Sequence, residues 1–60
     1  MMTRKDYKFA AAALNEIIDY THPAAFATVV ESFSLYMADD NPNFDEKRFV
    51  DACYAERELA

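Results

Sequence analysis

The sequence predicts an all-α fold, with three short helices in one small domain that spans residues 1–60. Three observations predict it. Apolar residues recur at spacings of three and four in three separate segments. A proline-containing break separates each segment from the next, and no connection is longer than about six residues. The helices are expected at about 3–20, 23–38 and 45–58, as a helical hairpin with the third helix crossing it.

The first helix is expected to start at Thr3, with Asp6 three residues later in the manner of a capping box. Its apolar stripe comprises Tyr7, Ala10, Ala11, Leu14, Ile17, Ile18 and Thr21. Arg4, Lys5 and Lys8 place positive charge in and next to the first turn, where the helix macrodipole disfavours it. The mismatch is either incidental, or the basic end meets an acidic partner surface.

The second helix is expected to begin near Pro23, because proline is favoured in a first turn, with Thr21 or His22 as its cap. A regular apolar series over twelve residues favours a helix over a strand, despite the β-branched triplet at 28–30. The predicted core face consists of Phe26, Val29, Val30, Phe33 and Met37. Leu35 and Tyr36 widen the apolar surface beyond what one neighbouring helix would cover.

The third helix is expected to follow the turn at residues 39–43, where an Asn-Pro step lies among Asp and Asn residues. Asp45 is the expected cap. Phe44 and Phe49 flank this cap at the spacing of a hydrophobic staple, which fixes the angle at which the chain enters the helix. Cys53 falls on the apolar face of this helix and is expected in the core.

The composition excludes several classes of protein. An apolar content of 53% is too high for a disordered chain, and the single cysteine forbids an internal disulfide. No glycine is present to build a phosphate loop, and the longest unbroken apolar run is six residues, too short to span a membrane. A net charge of -5 argues against direct nucleic-acid binding. We expect a cytoplasmic protein without a cofactor.

No motif predicts catalysis or a metal site. Asp39, Asn41, Asn43 and Asp45 imitate the start of an EF-hand loop, but Phe44 stands where that loop needs glycine, and the bidentate Glu is missing. The single histidine, His22, precedes proline and is expected to cap or to lie on the surface. A chain of 60 residues can hardly enclose an active-site pocket as a monomer, so no enzyme activity is expected.

The aromatic content is the feature that a small core accommodates least well. Nine of the 60 residues are Phe or Tyr. Such a short chain buries only ~60% of the surface that its unfolded form exposes, and small domains of this kind usually need a partner. We therefore expect a homodimer or a stable complex. The expected contact residues are the surplus apolar ones: Phe9, Leu35, Tyr36 and Tyr54.

The two ends of the chain resemble a group of very short phage and prophage proteins. Residues 2–7 read MTRKDY, and residues 40–53 read DNPNFDEKRFVDAC, which fits a DNPxFDxxRFxxAC-like segment. The resemblance implies a bacteriophage origin and a protein that acts in the cytoplasm of the infected cell. It implies no activity, and no functional residues carry over from it.

These observations predict a small acidic accessory protein that binds another protein, either a second copy of itself or a host protein. One alternative is an acidic decoy that imitates nucleic acid and occupies a host DNA- or RNA-binding protein. Its candidate residues are Asp39, Asp40, Asp45, Glu46 and Asp51. A decoy should lose affinity steeply with added salt, whereas an apolar interface should not. Another alternative is a purely structural oligomer subunit.

Overall fold

Three α-helices make up most of residues 2–56, the part of the chain that the computed structural model describes. They are α1 (Arg4–Ile17), α2 (Pro23–Asp40) and α3 (Glu46–Cys53). A short 3-10 turn, Ile18–Tyr20, extends α1. These residues contain no strand, so the segment at 28–30 is helical as predicted. The all-α fold with three helices is confirmed.

The helix boundaries differ from the expected ones in two places. α2 runs two residues further than predicted and ends at Asp40, just before the turn. α3 ends at Cys53, so the prediction of helix at 54–56 was wrong, and its last two residues, 57–58, lie outside the described part. The end of α3 has a physical cause, because the side-chain amide of Asn15 binds the carbonyl oxygens of Cys53 and Ala55 at 3.0 and 2.8 Å.

A side chain near the start of each helix accepts a hydrogen bond from a nearby backbone amide. Nδ1 of His22 accepts a hydrogen bond from the amide of Ala24 at 3.1 Å and caps α2. Oδ1 of Asp45 accepts from the amide of Arg48 at 3.1 Å and caps α3. At α1, the carboxylate of Asp6 reaches back to the Thr3 amide at 2.9 Å.

α1 and α3 run side by side in the same direction. At one end, the amide of Met2 donates to Oδ2 of Asp40 at 2.6 Å, and the side-chain amide of Asn41 donates to the Met2 carbonyl at 3.2 Å. At the other end, Asn15 in the last turn of α1 binds the end of α3. α2 therefore runs antiparallel to both, and the most extensive helix–helix packing is between α1 and α3.

The core lies where the three helices meet. Its buried members are Ala11, Leu14, Phe26, Val30, Met37, Phe49 and Cys53. Half-buried Phe44 joins them: its ring lies 4.8 Å from that of Tyr7 and 5.6 Å from that of Phe49. The predicted staple is therefore present, and it also ties the start of α3 to α1.

Replacing Phe44 tests the staple. We expect Phe44→Ala to lower the free energy of unfolding by ~1–3 kcal/mol, less than a fully buried phenylalanine would cost, because the ring is only partly buried. Urea denaturation monitored by circular dichroism would measure the change. An unchanged denaturation midpoint would contradict the assignment.

Candidate protein-binding surface

One flank of α2, next to its core face, carries an apolar strip that the other described elements cover only in part. Val29, Phe33 and Tyr36 follow each other at the i, i+4, i+7 spacing of one helix face. Their exposed fractions are 38%, 41% and 77%. With Thr28 and Ser32 they line a shallow depression of about 310 Å³. We call these five residues the α2 strip; all of them are uncharged.

The strip corrects the predicted core face of α2. Phe26, Val30 and Met37 are buried as predicted, but Val29 and Phe33 are exposed. The apolar arc of the helix is broader than the surface that α1 and α3 present to it. One half of the arc packs into the core, and the other half faces outward.

The four predicted contact residues are all exposed, but they do not share one surface. Tyr36 belongs to the α2 strip. Leu35 lies about two and a half turns after Phe26, hence on the opposite side of the helix from the core. Phe9 has the ammonium of Lys5 5.7 Å from its ring centroid. The Tyr54 ring packs edge-on against Phe26 at 5.2 Å and so belongs partly to the core.

The molecule is flattened rather than round. Its principal extents are 33, 26 and 15 Å, and its radius of gyration is 11.4 Å, against about 10 Å for a compact domain of this length. A flattened shape exposes more of each helix than a round shape of the same mass, which agrees with the exposed strip on α2.

The exposed area agrees with that shape. The chain exposes 4821 Å². The scaling law for monomeric proteins gives about 4,000 Å² for a mass of 6.9 kDa. The chain thus exposes about 800 Å² more than a compact monomer of its mass, as its flattened shape implies.

The acidic residues of the decoy alternative are partly engaged in holding the fold. Asp40 binds the amide of Met2, and Asp45 caps α3. Asp51 pairs with the ammonium of Lys47 at 2.7 Å, and this hydrogen bond raises the pKa of Lys47. Asp39 and Glu46 are exposed. Three of the five carboxylates thus have local structural partners, which weakens the case for a surface devoted to imitating a phosphate backbone.

Cys53 is fully buried, and burial raises the pKa of its thiol to about 11. The thiolate is the reactive form, so a rise of this size lowers the thiolate fraction at pH 8 by roughly a hundredfold. We expect iodoacetamide to alkylate the native chain at least ~100-fold more slowly than the chain unfolded in urea. Mass spectrometry of timed samples measures both rates. Equal rates would show that the thiol is accessible and reactive.

Asn15 is a structural residue that the sequence alone did not reveal. It is buried on α1, and its side-chain amide joins the last turn of α1 to the end of α3. The carbonyl groups at a helix end lack partners within the helix, so this side chain replaces a conventional cap. An asparagine on the edge of an alanine-rich run carries no local signal for such a contact.

Membrane-spanning helices and metal-binding clusters were both sought in the described residues. No helix within residues 2–56 combines the length and the apolar character that crossing a bilayer requires. In that same part of the chain, no three His, Cys, Asp or Glu side chains are grouped so that they could hold a metal ion.

Comparisons with protein-family models, with curated proteins and with solved structures found no match to the chain.

Proposed function

We propose that this chain is a non-catalytic, protein-binding protein whose first partner is a second copy of itself, docked through the α2 strip. The observation that carries the proposal is the exposed apolar series of Val29, Phe33 and Tyr36 on a flattened molecule. Two copies that pack α2 against α2 would bury these exposed side chains against each other. The contact is isologous, because the same strip serves both subunits.

The absence of charge in the strip keeps the electrostatic cost of docking a second copy low. Two chains that each carry a net charge of -5 repel each other, so a self-contact is favoured where no carboxylate must be buried. The α2 strip meets this condition, since its members are Thr, Val, Ser, Phe and Tyr. Aromatic side chains at its centre are the residue types that dominate binding energy in protein interfaces.

The test compares two substitutions on opposite sides of α2. We expect Phe33→Ser to weaken self-association by ~10–100-fold, because a central aromatic anchor is removed. Leu35→Ser is the matched control: Leu35 is 66% exposed and lies outside the strip. The dissociation constant of the Leu35→Ser dimer should stay within about twofold of that of the unmodified dimer, because no partner side chain packs against Leu35 in the proposed contact. Sedimentation velocity over a range of concentrations measures all three proteins.

Two outcomes would contradict the proposal. In one, Leu35→Ser weakens association as much as Phe33→Ser, which would place the interface elsewhere. In the other, Phe33→Ser associates as tightly as the unmodified chain. Circular dichroism of each variant at a concentration where all are monomeric shows whether the subunit itself is still folded.

The biological setting follows from the resemblance to short phage and prophage proteins. We propose that the dimer acts in the cytoplasm of an infected bacterial cell, as an accessory protein that binds a host or phage protein. Expression of the chain in uninfected cells, followed by cross-linking and purification at low and high salt, would test this setting. Host partners that persist at high salt support an apolar contact, and partners that are lost as salt rises support the acidic decoy instead.

A further inference from the structure

A second surface, unrelated to the α2 strip, gathers positive charge on this acidic chain. The N-terminal halves of α1 and α3 lie side by side and leave a cleft of about 480 Å³ between them. Arg4 and Lys8 line it from α1, and Arg48 lines it from α3. Three of the six basic side chains of the sequence thus line this one cleft. This volume lies within the range of roughly 300–1,000 Å³ typical of small-molecule sites.

The local charge of the cleft is positive. Asp45 is the one carboxylate that lines it, and its Oδ1 is already engaged by the amide of Arg48. Within residues 2–56, neither arginine nor Lys8 forms an ion pair. Both arginines lie in first turns, where the positive ends of two parallel helix dipoles add to their charge. An anion in the cleft would relieve this repulsion.

The lining of the cleft also has an apolar part. Tyr7 is half-buried and Ala52 is exposed there, whereas Phe49 is almost completely buried. The hydroxyl of Tyr7 is buried and has no hydrogen-bond partner in the described part of the chain. Because this oxygen is closed off from solvent, a ligand in the open cleft would contact the Tyr7 ring rather than its hydroxyl.

We infer that the cleft between α1 and α3 binds a phosphate group, carried by a small phosphomonoester whose apolar body rests on Tyr7 and Ala52. Three cations against one carboxylate leave a local charge of +2. A phosphomonoester carries about -1.5 to -2 at pH 7, whereas a single carboxylate would leave half of this charge unmatched. Two guanidinium groups also suit the planar, bidentate recognition of phosphate oxygens.

The experiment titrates the ¹⁵N-labelled full chain with phenyl phosphate, inorganic phosphate or benzoate at constant ionic strength. We expect saturable shifts of backbone amides in residues 4–11 and 45–52. Phenyl phosphate should bind at least as tightly as inorganic phosphate, and benzoate more weakly than both. Tighter binding of phenyl phosphate assigns the site to a phosphomonoester, and equal binding assigns it to free phosphate.

Matched variants separate the cleft from the charge of the whole chain. Arg4→Gln and Arg48→Gln should each raise the dissociation constant for phenyl phosphate about tenfold, the loss expected for a charge-assisted hydrogen bond. Lys5→Gln and Lys47→Gln remove the same charge outside the cleft. Each should therefore change the dissociation constant for phenyl phosphate by less than about twofold. Arg48→Lys keeps the charge but loses the bidentate geometry, and should be intermediate.

Three results would overturn the inference. They are the absence of saturable shifts up to the solubility limit of phenyl phosphate, equal weakening by the Lys5 and Lys47 variants, and benzoate binding as tightly as phenyl phosphate. The cleft shares no lining residue with the α2 strip. Phosphate binding should therefore survive in the Phe33→Ser variant, so failure of one proposal is distinguishable from failure of the other.

Discussion

Phe26→Ala is expected to lower the free energy of unfolding by ~3–5 kcal/mol, the typical cost of deleting a buried phenyl ring. Phe26 is 1% exposed, and the ring of Tyr54 packs edge-on against it. A domain of 60 residues has a total stability of roughly 3–9 kcal/mol at the usual value per residue. The substitution should therefore bring the chain close to complete unfolding at room temperature, as seen in urea denaturation monitored by far-UV circular dichroism.

The comparison with Phe33→Ala makes this prediction specific. Both phenylalanines lie on α2, and periodicity alone assigns both to the core. In the structure Phe33 is exposed, so its truncation should cost under about 1 kcal/mol at concentrations where the chain is monomeric. At higher concentrations the loss should grow, because dimerisation stabilises the folded state by mass action. Equal, concentration-independent losses for the two variants would mean that Phe33 is a core residue.

Asn15→Ala is expected to cost ~2–4 kcal/mol, although the residue is polar and only Leu14 separates it from a run of alanines. Its side-chain amide satisfies the carbonyls of Cys53 and Ala55. Truncation leaves these acceptors unpaired, one of them buried, and removes packing volume between α1 and α3. For a domain of this size the melting temperature should fall by roughly 10–25 °C, measured by thermal circular dichroism.

Glu16→Ala is the control for Asn15→Ala. Glu16 is the next residue on α1 and is exposed, so its truncation should change the melting temperature by at most a few degrees. If the two substitutions had the same effect, Asn15 would not connect α1 to α3. Hydrogen exchange adds a local readout, since amides near the end of α3 should lose protection in the Asn15 variant first.

Much of the local structure could be predicted from the sequence, because it depends on neighbouring residues. The cap at Asp45 and the staple between Phe44 and Phe49 are chemistry within five residues, and both are present. His22 and Pro23 likewise determine where α2 begins. The spacing of apolar residues established three helices and excluded a strand at 28–30, as the structure confirms.

The candidate sites depend on tertiary placement, which periodicity does not specify. An apolar residue at helical spacing signals a buried face only where another element lies against it. Val29 and Phe33 therefore looked like core residues, and their exposure follows from where α1 and α3 lie. The cleft arises because α1 and α3 are parallel neighbours, which brings Arg4 and Arg48 together from 44 residues apart in the chain.

The most direct test of the α2 strip as a self-association surface is sedimentation equilibrium of the unmodified chain at low and high salt. We expect a mass approaching twice 6.9 kDa as concentration rises through the micromolar range. We also expect that salt does not weaken the dimer, because added ions screen the repulsion between two acidic chains while the apolar contact remains. A mass of 6.9 kDa at every concentration and both salt levels would contradict it.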